Sequence, residues 1–323
     1  MELDILDKKI LYELGINSRI TYDELSKKIK SKKPVVAYRI NQLIKNGVIW
    51  KFAPLISLKS LGYFGFKIYI RLKGLDNLKE EEMIRKMVAD SRIVWVAKGV
   101  GSWDLLLGFF EKSMQEVAVL RNEIFQKYGR FIQDYSITFL EDGFLCNRDY
   151  LTNNSTDYRN EYSLTAISKE VEIEEIQKKI LTLIKNDARY KVVDLANELK
   201  LDSRTIISKI KDLEKKKILQ INTVFLNLNK IGRKLFKICI YFQEYEAESE
   251  AKVINYLKTI PELIHLIKSI GDWEMEAEIE YEDINDAYQL IKSLRNKFPD
   301  IIKKTDIVTI TEELKLEFIP KII

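Results

Sequence analysis

The sequence predicts an α+β fold in which a winged helix-turn-helix followed by a ferredoxin-like βαββαβ sandwich occurs twice. Three observations lead to this prediction. The chain repeats itself at a fixed spacing, the first part of each copy has the periodicity of three helices and a strand, and the second part alternates strands with helices. With 323 residues, of which 46% are hydrophobic and 32% charged, the chain is long enough for several globular domains.

The repeat is clearest in a short pattern of Gly, any residue, Trp and an acid. It occurs at Gly101–Asp104 and again at Gly271–Glu274, 170 positions further on. The segment KKIL at Lys8–Leu11 recurs at Lys178–Leu181 with the same spacing. Because a single register holds over both copies without a gap, we interpret the chain as a tandem duplication.

The duplication divides the chain into five parts. They are a winged helix-turn-helix at 1–62, a ferredoxin-like domain at 63–150, a linker at 151–170, a second winged helix-turn-helix at 171–232 and a second ferredoxin-like domain at 233–323. The linker is rich in Asn, Ser, Thr and Tyr and lacks hydrophobic periodicity, which is typical of a connecting segment.

The first part of each copy predicts three helices and a strand. In the first copy, Asp4 is the expected N-cap of helix one, and Thr21 with Glu24 forms a capping box for helix two. Helix three has Pro34 in its first turn and Gly47 as its expected C-cap. The segment VIWKFAPLI then alternates apolar and polar residues like a short strand.

The second part of each copy predicts strand, helix, strand, strand, helix and strand. In the first strand, YFGFKIYIRL, apolar residues lie on one face and Lys67 and Arg71 on the other. This order predicts an antiparallel sheet with both helices on one face. Gly101 and Gly271 then lie in the tight turn between the second and third strands. The segment LKLEFIP near the end of the chain predicts an extra edge strand.

The third strand differs between the two sandwiches. WDLLLGFF is apolar at nearly every position, which predicts a strand covered on both faces. Its counterpart places four carboxylates on one face, namely Glu274, Glu276, Glu278 and Glu280. Carboxylates side by side repel one another unless they are solvated or matched to cations. We consider two interpretations: a solvent-exposed sheet face, or an acidic face that meets Lys67 and Arg71 inside one chain.

Positive charge is concentrated in the two helix-turn-helix units. Residues 1–62 hold 12 basic against 6 acidic residues and 171–232 hold 13 against 9, whereas 233–323 hold 13 against 18. The last helix of a helix-turn-helix reads DNA in the major groove, so its outer side must be polar and cationic. The residues expected there are Lys32, Lys33, Tyr38, Arg39, Gln42 and Lys45 in the first copy and Ser203, Arg204, Thr205, Ser208, Lys209 and Lys211 in the second. The alternative is that these are solvated helix faces.

The motifs of the first copy resemble those of the leucine-responsive regulatory protein / AsnC (Lrp/AsnC) family of transcription regulators. They are Leu3-Asp4, Ile10-Leu11, Arg19, the segment RINQLIKNGVI from Arg39 to Ile49, and the turn Gly101–Asp104. The second copy departs from this pattern, with Lys209 in place of the Arg, Lys217 in place of the Gly and Glu274 in place of the Asp.

The resemblance implies a partner and an effector. Members of the family bind double-stranded DNA, pair through the open faces of their sandwich sheets, and often assemble further, so a homo-oligomer built through the ferredoxin-like domains is expected. Many bind a small molecule, commonly an amino acid, near this turn. The implied effector-binding residues are Gly101, Ser102, Asp104, Gly271, Asp272 and Glu274. The alternative is that the turn is purely structural.

Other classes of protein receive little support. Cys146 and Cys239 form no CxxC pair, the first residues are charged, and no apolar run reaches the length of a membrane span. We therefore expect a cytoplasmic protein without a cofactor, a metal or a membrane partner.

An enzyme is the main alternative within this fold. Related proteins with a sandwich and a helix-turn-helix act as sirohaem decarboxylases and use histidines. The chain has one histidine, His265, at the position that Trp95 occupies in the first copy, and we expect it to be packed within a strand. No nucleophile and base pattern is present. We predict a sequence-specific regulator with two DNA-binding heads in one chain, not an enzyme. A second alternative is an architectural DNA-binding protein with weak sequence readout.

Overall fold

The structure, a computed structural model, describes residues 2–152, 161–163, 170–244 and 246–317. The helices of the first copy are α1 (Ile5–Ile16), α2 (Tyr22–Lys28), α3 (Lys33–Lys45), α4 (Asn77–Ala89) and α5 (Met114–Tyr128). Those of the second copy are α6 (Glu175–Ile184), α7 (Val192–Leu199), α8 (Ser203–Lys215), α9 (Ala247–Leu257) and α10 (Ile284–Lys297). None of these described helices combines the length and the apolar character that a membrane span requires.

The strands follow the same duplicated order. The first copy contributes β1 (Ile49–Ile56), β2 (Phe64–Leu72), β3 (Ile93–Gly101), β4 (Leu105–Glu111) and β5 (Ile132–Cys146), and β6 (Glu161–Ser163) follows. The second copy contributes β7 (Leu219–Leu226), β8 (Lys234–Phe242), β9 (Leu263–Ile270), β10 (Met275–Tyr281) and β11 (Ile302–Leu316). The order in each copy confirms the predicted winged helix-turn-helix and βαββαβ sandwich.

The predicted caps explain where the first helices begin. The Asp4 side chain accepts a hydrogen bond from the Asp7 backbone N–H at the start of α1. At the start of α2, Thr21 and Glu24 form the predicted capping box. Helix α3 ends one residue earlier than expected, with Asn46 as its C-cap, and Gly47 follows in the left-handed region at φ +69°.

Each helix-turn-helix packs around an apolar core that also includes residues of the other copy, and this core fixes the position of its last helix. In the first copy α1, α2 and α3 bury residues such as Ile10, Leu25 and Ile40 together. In the second copy their counterparts Ile180, Leu195 and Ile210 are buried in the same way. The last helix of each unit is therefore held by its apolar stripe, and its opposite side remains available to solvent.

The two helix-turn-helix units are joined by a pair of antiparallel strands. Strand β1 pairs with β7, with Ala53 opposite Thr223 near the centre. The contacts around this pair are reciprocal: the Ser18 N–H donates to the Asn222 carbonyl at 2.7 Å, and the Ala188 N–H donates to the Phe52 carbonyl at 2.9 Å. The units are therefore related by an approximate twofold axis that passes through the strand pair.

The sheets of the two sandwiches close into one barrel. Within the first copy the strand order is β5-β2-β4-β3, and within the second it is β11-β8-β10-β9. Strand β3 pairs with β11 and β9 pairs with β5, so eight strands form a continuous ring. Each sheet packs its helices against one face and turns the other face toward the barrel interior.

Two sequence predictions need correction or completion. The segment LKLEFIP was expected to form a separate edge strand, but Leu314–Leu316 continue β11, which pairs with both β8 and β3. The predicted linker contains β6, which pairs with Phe144–Cys146 of β5. Most of the predicted linker, residues 153–160 and 164–169, lies outside the described residues.

Candidate DNA-binding helices and the interior of the barrel

Helix α3 presents a polar, cationic side to solvent. Lys32, Lys33, Tyr38 and Lys45 are all exposed, and Tyr38 retains 61% of its accessible surface. No described group forms an ion pair with any of these three lysines. The side chains that the sequence assigned to DNA are thus largely free to reach a ligand.

Two of the predicted residues on α3 are half-buried. They are Gln42 and Arg39. The Arg39 guanidinium contacts the carboxylates of Asp4 at 2.8 Å and Asp7 at 3.3 Å. Burial, together with the neighbouring Asp4, raises the pKa of Asp7. Arg39 therefore links α3 to α1, and any contact of this residue with DNA stays a prediction.

Helix α8 has the same arrangement with different residues. Arg204, Ser208 and Lys211 are exposed, while Ser203 and Thr205 are half-buried near the start of the helix. Lys209, the counterpart of Arg39, is also half-buried. Its ammonium group lies 2.6 Å from the Glu174 carboxylate, the counterpart of Asp4. Both units thus use one basic residue to fasten the last helix and leave others exposed.

The turn after α8 keeps the geometry of the turn after α3. Lys217 adopts φ +54°, close to the φ of +69° at Gly47. The next residue in each copy, Ile218 or Val48, donates its N–H to a helix carbonyl at 2.9 Å. The substitution of Gly by Lys therefore preserves the turn, although a non-glycine residue is strained in this region.

The two Gly-any-Trp-acid turns lie where the sandwiches meet. Gly101 has φ +120°, and a Cβ atom added there would lie 2.6 Å from the Ile307 carbonyl oxygen of the other copy. A Cβ atom at Gly271 would lie 2.8 Å from the Ile137 carbonyl oxygen. The glycines are required because each turn approaches the backbone of the opposite sandwich.

The acidic residues of these turns bind backbone groups of their own copy. The Leu72 N–H donates to Asp104 at 2.8 Å, and the Phe242 N–H donates to Glu274 at 2.9 Å. The intervening Trp103 and Trp273 are buried in the barrel with ring centroids 6.3 Å apart. The repeated pattern thus joins one copy to the other.

The six predicted effector-binding residues all lie at these turns. Gly101, Gly271 and Asp272 are exposed, whereas Ser102, Asp104 and Glu274 are half-buried. The Ser102 carbonyl accepts a hydrogen bond from the Arg71 guanidinium at 2.6 Å. Effector binding at these residues stays a prediction.

Glu276 is the centre of a buried network inside the barrel. One carboxylate oxygen accepts hydrogen bonds from Lys67 and Lys237, each at 2.7 Å. The other oxygen accepts from the Tyr69 hydroxyl at 2.6 Å and the Trp273 indole N–H at 3.0 Å. This confirms the hypothesis that the acidic face meets Lys67 inside one chain, and the solvent-exposed interpretation is wrong.

The network shifts the protonation of its members. Burial alone would raise the pKa of Glu276, but the adjacent Lys237 and Lys67 lower it to about 2. Burial alone would lower the pKa of Lys237, yet Glu276 and Glu278 raise it. The pKa of Lys67 is lowered, because burial and the neighbouring Lys237 outweigh the attraction of the glutamates. Arg71, the second cation of the hypothesis, lies outside this network.

Two further pairs extend the network toward the strand pair. His265 contacts Glu278 through Nδ1 at 2.6 Å and lies within β9, as expected for a packed strand histidine. The Arg148 guanidinium contacts Glu280 at 2.9 Å, and the Tyr150 hydroxyl donates to the same carboxylate. The acidic strand β10 is therefore matched to cations along its length.

Comparisons with known proteins identify the class. A model of the winged helix-turn-helix DNA-binding family matches residues 3–49 and 173–220, one match in each copy. An HTH-type transcriptional regulator from Pyrococcus abyssi is 31% identical over 127 residues, which are 39% of this chain and 84% of that protein. One from Pyrococcus horikoshii is 32% identical over 117 residues, which are 36% of this chain and 77% of that protein.

The chain belongs to the HTH-type transcriptional regulators. The motifs of its first copy resemble those of the Lrp/AsnC type. Each of these single-copy relatives matches less than half of the chain, which agrees with two family matches in tandem.

This HTH-type regulator also has a structural neighbour of full length. The siroheme decarboxylase NirDL superposes with a TM-score of 0.64 at 14% sequence identity, covering 98% of this chain and 94% of that one. At this identity the likeness shows a shared fold. The superposition extends over both copies, so NirDL shares the duplicated arrangement.

Sequence reasoning missed several members of the network in this regulator. Lys237 lies on the acidic copy itself, and Arg148 lies at the boundary of the predicted linker. The alternation of glutamates in β10 signalled that partners were needed. Lys237 lies on β8, which pairs with β10 inside the second sandwich, so the predicted topology already brings it beside the glutamates. Arg148 follows β5 of the first copy, and it reaches Glu280 because β5 pairs with β9 across the boundary between the copies.

Proposed function

We propose that this chain is a sequence-specific DNA-binding transcription regulator that acts as a covalent pseudo-dimer in the cytoplasm. One observation carries the proposal: the β1–β7 pair joins two helix-turn-helix units, each with an exposed cationic last helix, around an approximate twofold axis. Single-copy regulators obtain two heads by dimerising, and operator symmetry mirrors the symmetry of the protein. Here one chain supplies both heads.

The exposed residues divide into two expected roles. Lysines and arginines such as Lys33 and Arg204 neutralise phosphates and position the heads. Polar side chains such as Tyr38 and Ser208, which are exposed on the same helices, are expected to reach base edges or sugars. Affinity is therefore expected from both heads, and sequence readout from the side chains between the cations.

The test is selection of genomic fragments by the full chain at near-physiological salt, followed by footprinting of the enriched DNA. Two protected half-sites, centred about 34–36 Å or a multiple apart, are the expected result. Equal enrichment of all fragments, with an affinity that falls steeply with salt on every duplex, would contradict sequence readout and favour the architectural alternative.

Variants separate the two heads. Lys33→Ala in α3 and Arg204→Ala in α8 each remove one exposed cation, and each is expected to weaken binding and lower the salt dependence by about one phosphate contact. Lys127→Ala removes an exposed cation from α5 in the sandwich and serves as the control. An Arg204→Ala variant that binds like the control would show that the second head does not contact DNA.

We further propose that a small effector such as an amino acid acts at the turns Gly101–Asp104 and Gly271–Glu274. The exposed Asp272 carboxylate is the one side chain there with room for an amine, since Asp104 and Glu274 bind backbone N–H groups. Thermal-shift measurements with the twenty amino acids, repeated on Asp272→Asn, test this. The absence of any shift in the native chain would leave the turns a structural role alone.

We also propose that the full chain forms homo-oligomers. The sheet faces through which family members are implied to pair already meet inside the barrel. A second copy would therefore have to use the helices outside the barrel or the heads. Sedimentation equilibrium of the full chain measures this, and a single species of 38.0 kDa at all concentrations would exclude assembly.

A sirohaem decarboxylase activity is the alternative that the shared fold raises. The family enzymes use histidines, whereas the cavity at the end of the barrel is lined by one described histidine, His265, whose Nδ1 contacts Glu278 at 2.6 Å. We therefore assign the chain no reaction. Perturbation of the sirohaem absorbance spectrum on adding the protein, followed by loss of carbon dioxide, would reverse this assignment.

A further inference from the structure

A cavity of about 210 Å³ lies between the β1–β7 strand pair and one end of the barrel. Its walls are mostly apolar, with Leu55 and Val224 from the strand pair and Phe109, Leu235 and Ile264 from the barrel. An apolar cavity of about 150 Å³ is enough to bind benzene. The space is therefore large enough for a small organic molecule with an aromatic or aliphatic body.

Most charged groups at this cavity already have partners. Lys67 binds Glu276, Glu278 binds His265, and Arg148 binds Glu280. Glu317 lies 3.8 Å from Lys185. A further cation, Lys59, is exposed to solvent. These groups balance one another and leave no net demand for a counter-ion.

Glu313 differs from the others. Its carboxylate accepts a hydrogen bond from the Trp95 indole N–H at 3.0 Å. Among the described residues, no cation lies within ion-pair distance of it, and Lys51 and His265 act on it from further away. Burial raises the pKa of Glu313 by more than the Trp95 hydrogen bond and His265 lower it. A carboxylate in this position is stabilised when a positive charge comes next to it.

Glu313 has no acidic counterpart in the first copy. The counterpart of Glu313 in the first copy is Gly143, and the counterpart of Glu278 is Gly108. The cavity lies close to the approximate twofold axis, since equivalent residues of both copies line it. Glu313 and Glu278 therefore lie on the side of the second copy alone, which suits one ligand with one charged end.

We propose that this cavity binds a small hydrophobic amine, with the ammonium group on Glu313 and the apolar body against the aliphatic and aromatic walls. The ammonium group supplies the missing counter-charge, and the apolar part fills space that water occupies poorly. The site is distinct from the Gly-any-Trp-acid turns.

The position of the cavity allows a bound ligand to affect the two helix-turn-helix units. Leu55 and Val224 belong to the two strands that join the helix-turn-helix units, so a ligand packed against them favours one spacing of the heads. This second step rests on the proposed DNA-binding function. The binding step does not, and the two are measured separately.

Calorimetric titration of the full chain without DNA tests the binding step. The probes are 2-phenylethylamine, 2-phenylethanol and 3-phenylpropanoate at pH 7.5, which share a body and differ in the charge of the end group. The amine is expected to bind at least tenfold more tightly than the other two. Equal affinity for the three probes, or no binding of the amine at millimolar concentration, would overturn the proposal.

Two variants locate the ammonium group. Glu313→Gln keeps the shape and the acceptor for Trp95, and it is expected to weaken amine binding at least tenfold without changing the fold. Glu312→Gln removes the exposed neighbouring carboxylate and should leave the affinity unchanged. Circular dichroism and thermal unfolding confirm that both variants fold. Native-like amine affinity in folded Glu313→Gln would refute the assignment.

The coupling step is measured on the DNA that fragment selection yields. Saturating 2-phenylethylamine is expected to change the affinity of the native chain for that DNA at least threefold, and to leave that of Glu313→Gln unchanged. Amine binding without any change in DNA affinity would refute the coupling step, and the proposed amine-binding site would still stand. A failure of DNA binding altogether would refute the proposed function and not the amine site.

Discussion

At the scale of single residues, the buried charges of the barrel have the largest expected effect on stability. Glu276 is fully buried and binds two buried lysines, so its removal leaves both Lys67 and Lys237 short of a counter-charge. Breaking a buried ion pair by removing one partner commonly costs about 3–5 kcal/mol, because the remaining charge stays desolvated. Substitution by a neutral isostere tests the charge and not the shape.

Glu276→Gln is therefore expected to lower the free energy of unfolding by about 3–5 kcal/mol at pH 7, measured by urea denaturation. The pKa of Glu276 is lowered to about 2 from an ordinary 4.5, so its stabilising effect is present above pH 4.5 and is lost as the pH falls toward 2. The difference between the two proteins should shrink over that window. Glu312→Gln, which changes an exposed carboxylate, is the control, and a similar loss in both variants would contradict the argument.

Glycine in the repeated turn has an equally local role. Gly101→Ala places a methyl group 2.6 Å from the Ile307 carbonyl oxygen at a φ of +120°, so we expect a loss of at least about 2 kcal/mol in the free energy of unfolding. The control is Gly15→Ala in α1, where an added Cβ meets no atom within 4 Å. That change should be neutral or stabilise by up to about 1 kcal/mol. Thermal unfolding of both variants makes the comparison.

At the scale of elements, the two helix-turn-helix units share a frame and differ in how it is held. Asp7 pairs with Arg39 in the first unit, whereas its counterpart Gln177 donates to Asp212 in the second at 2.8 Å. The acid and the amide have exchanged places, since Gln42 is the counterpart of Asp212. Helix packing thus tolerates a change of partner as long as the polar groups remain satisfied.

The turn after the last helix offers a test at this scale. Lys217 occupies the left-handed region that Gly47 occupies without strain, so Lys217→Gly is expected to raise the free energy of unfolding by about 1 kcal/mol. The reverse change, Gly47→Lys, should lower it by a similar amount. Chemical denaturation of both variants measures this. Equal effects of the same sign would show that strain at φ does not control these turns.

The elements themselves were predictable, and their assembly was predictable only in part. Local signals such as the Thr21 and Glu24 capping box and the alternation in β2 lie within a few residues of one another, so the sequence reports them directly. The pairing of β3 with β11 joins residues more than 200 positions apart. It depends on long-range complementarity of two sheet faces, for which glutamates in one strand and Lys67 in another were the available sign.

At the scale of the whole molecule, ring closure makes the two copies one structure. Strands β3 and β11 and strands β5 and β9 pair across the boundary between copies, and the barrel interior is shared. The covalent connection between the copies is then one of several links that hold them together. The linker joins the two copies covalently, and the paired strands of the barrel form the contact area between them.

Cutting the connection tests this view. A protease site inserted between Thr152 and Glu170 and then cleaved should leave the halves associated, eluting together in size-exclusion chromatography at micromolar concentration. The uncut chain with the same insertion is the control. Separation of the fragments under native conditions would show that the paired strands do not hold the copies together.

The candidate DNA-binding site could be predicted only in part from the sequence. The exposed residues of α3 and α8 could be assigned from sequence, because a helix has a known periodicity and charge marks its solvent side. The half-buried state of Arg39 and Lys209 could not be predicted, since it depends on the acidic N-cap residue before the first helix of each unit. The cavity beside Glu313 could not either, since its walls come from both copies.

The approximate twofold axis through β1 and β7 relates two helices that are unlike in sequence. Helix α3 exposes Lys33 and Tyr38, and α8 exposes Arg204 and Ser208. A true homodimer presents identical helices and therefore suits a palindrome. Two unlike helices at a fixed spacing suit two unlike half-sites in a fixed order. The complex with DNA would then have a direction, with its first copy upstream and its second copy downstream, or the reverse, at every site that it occupies.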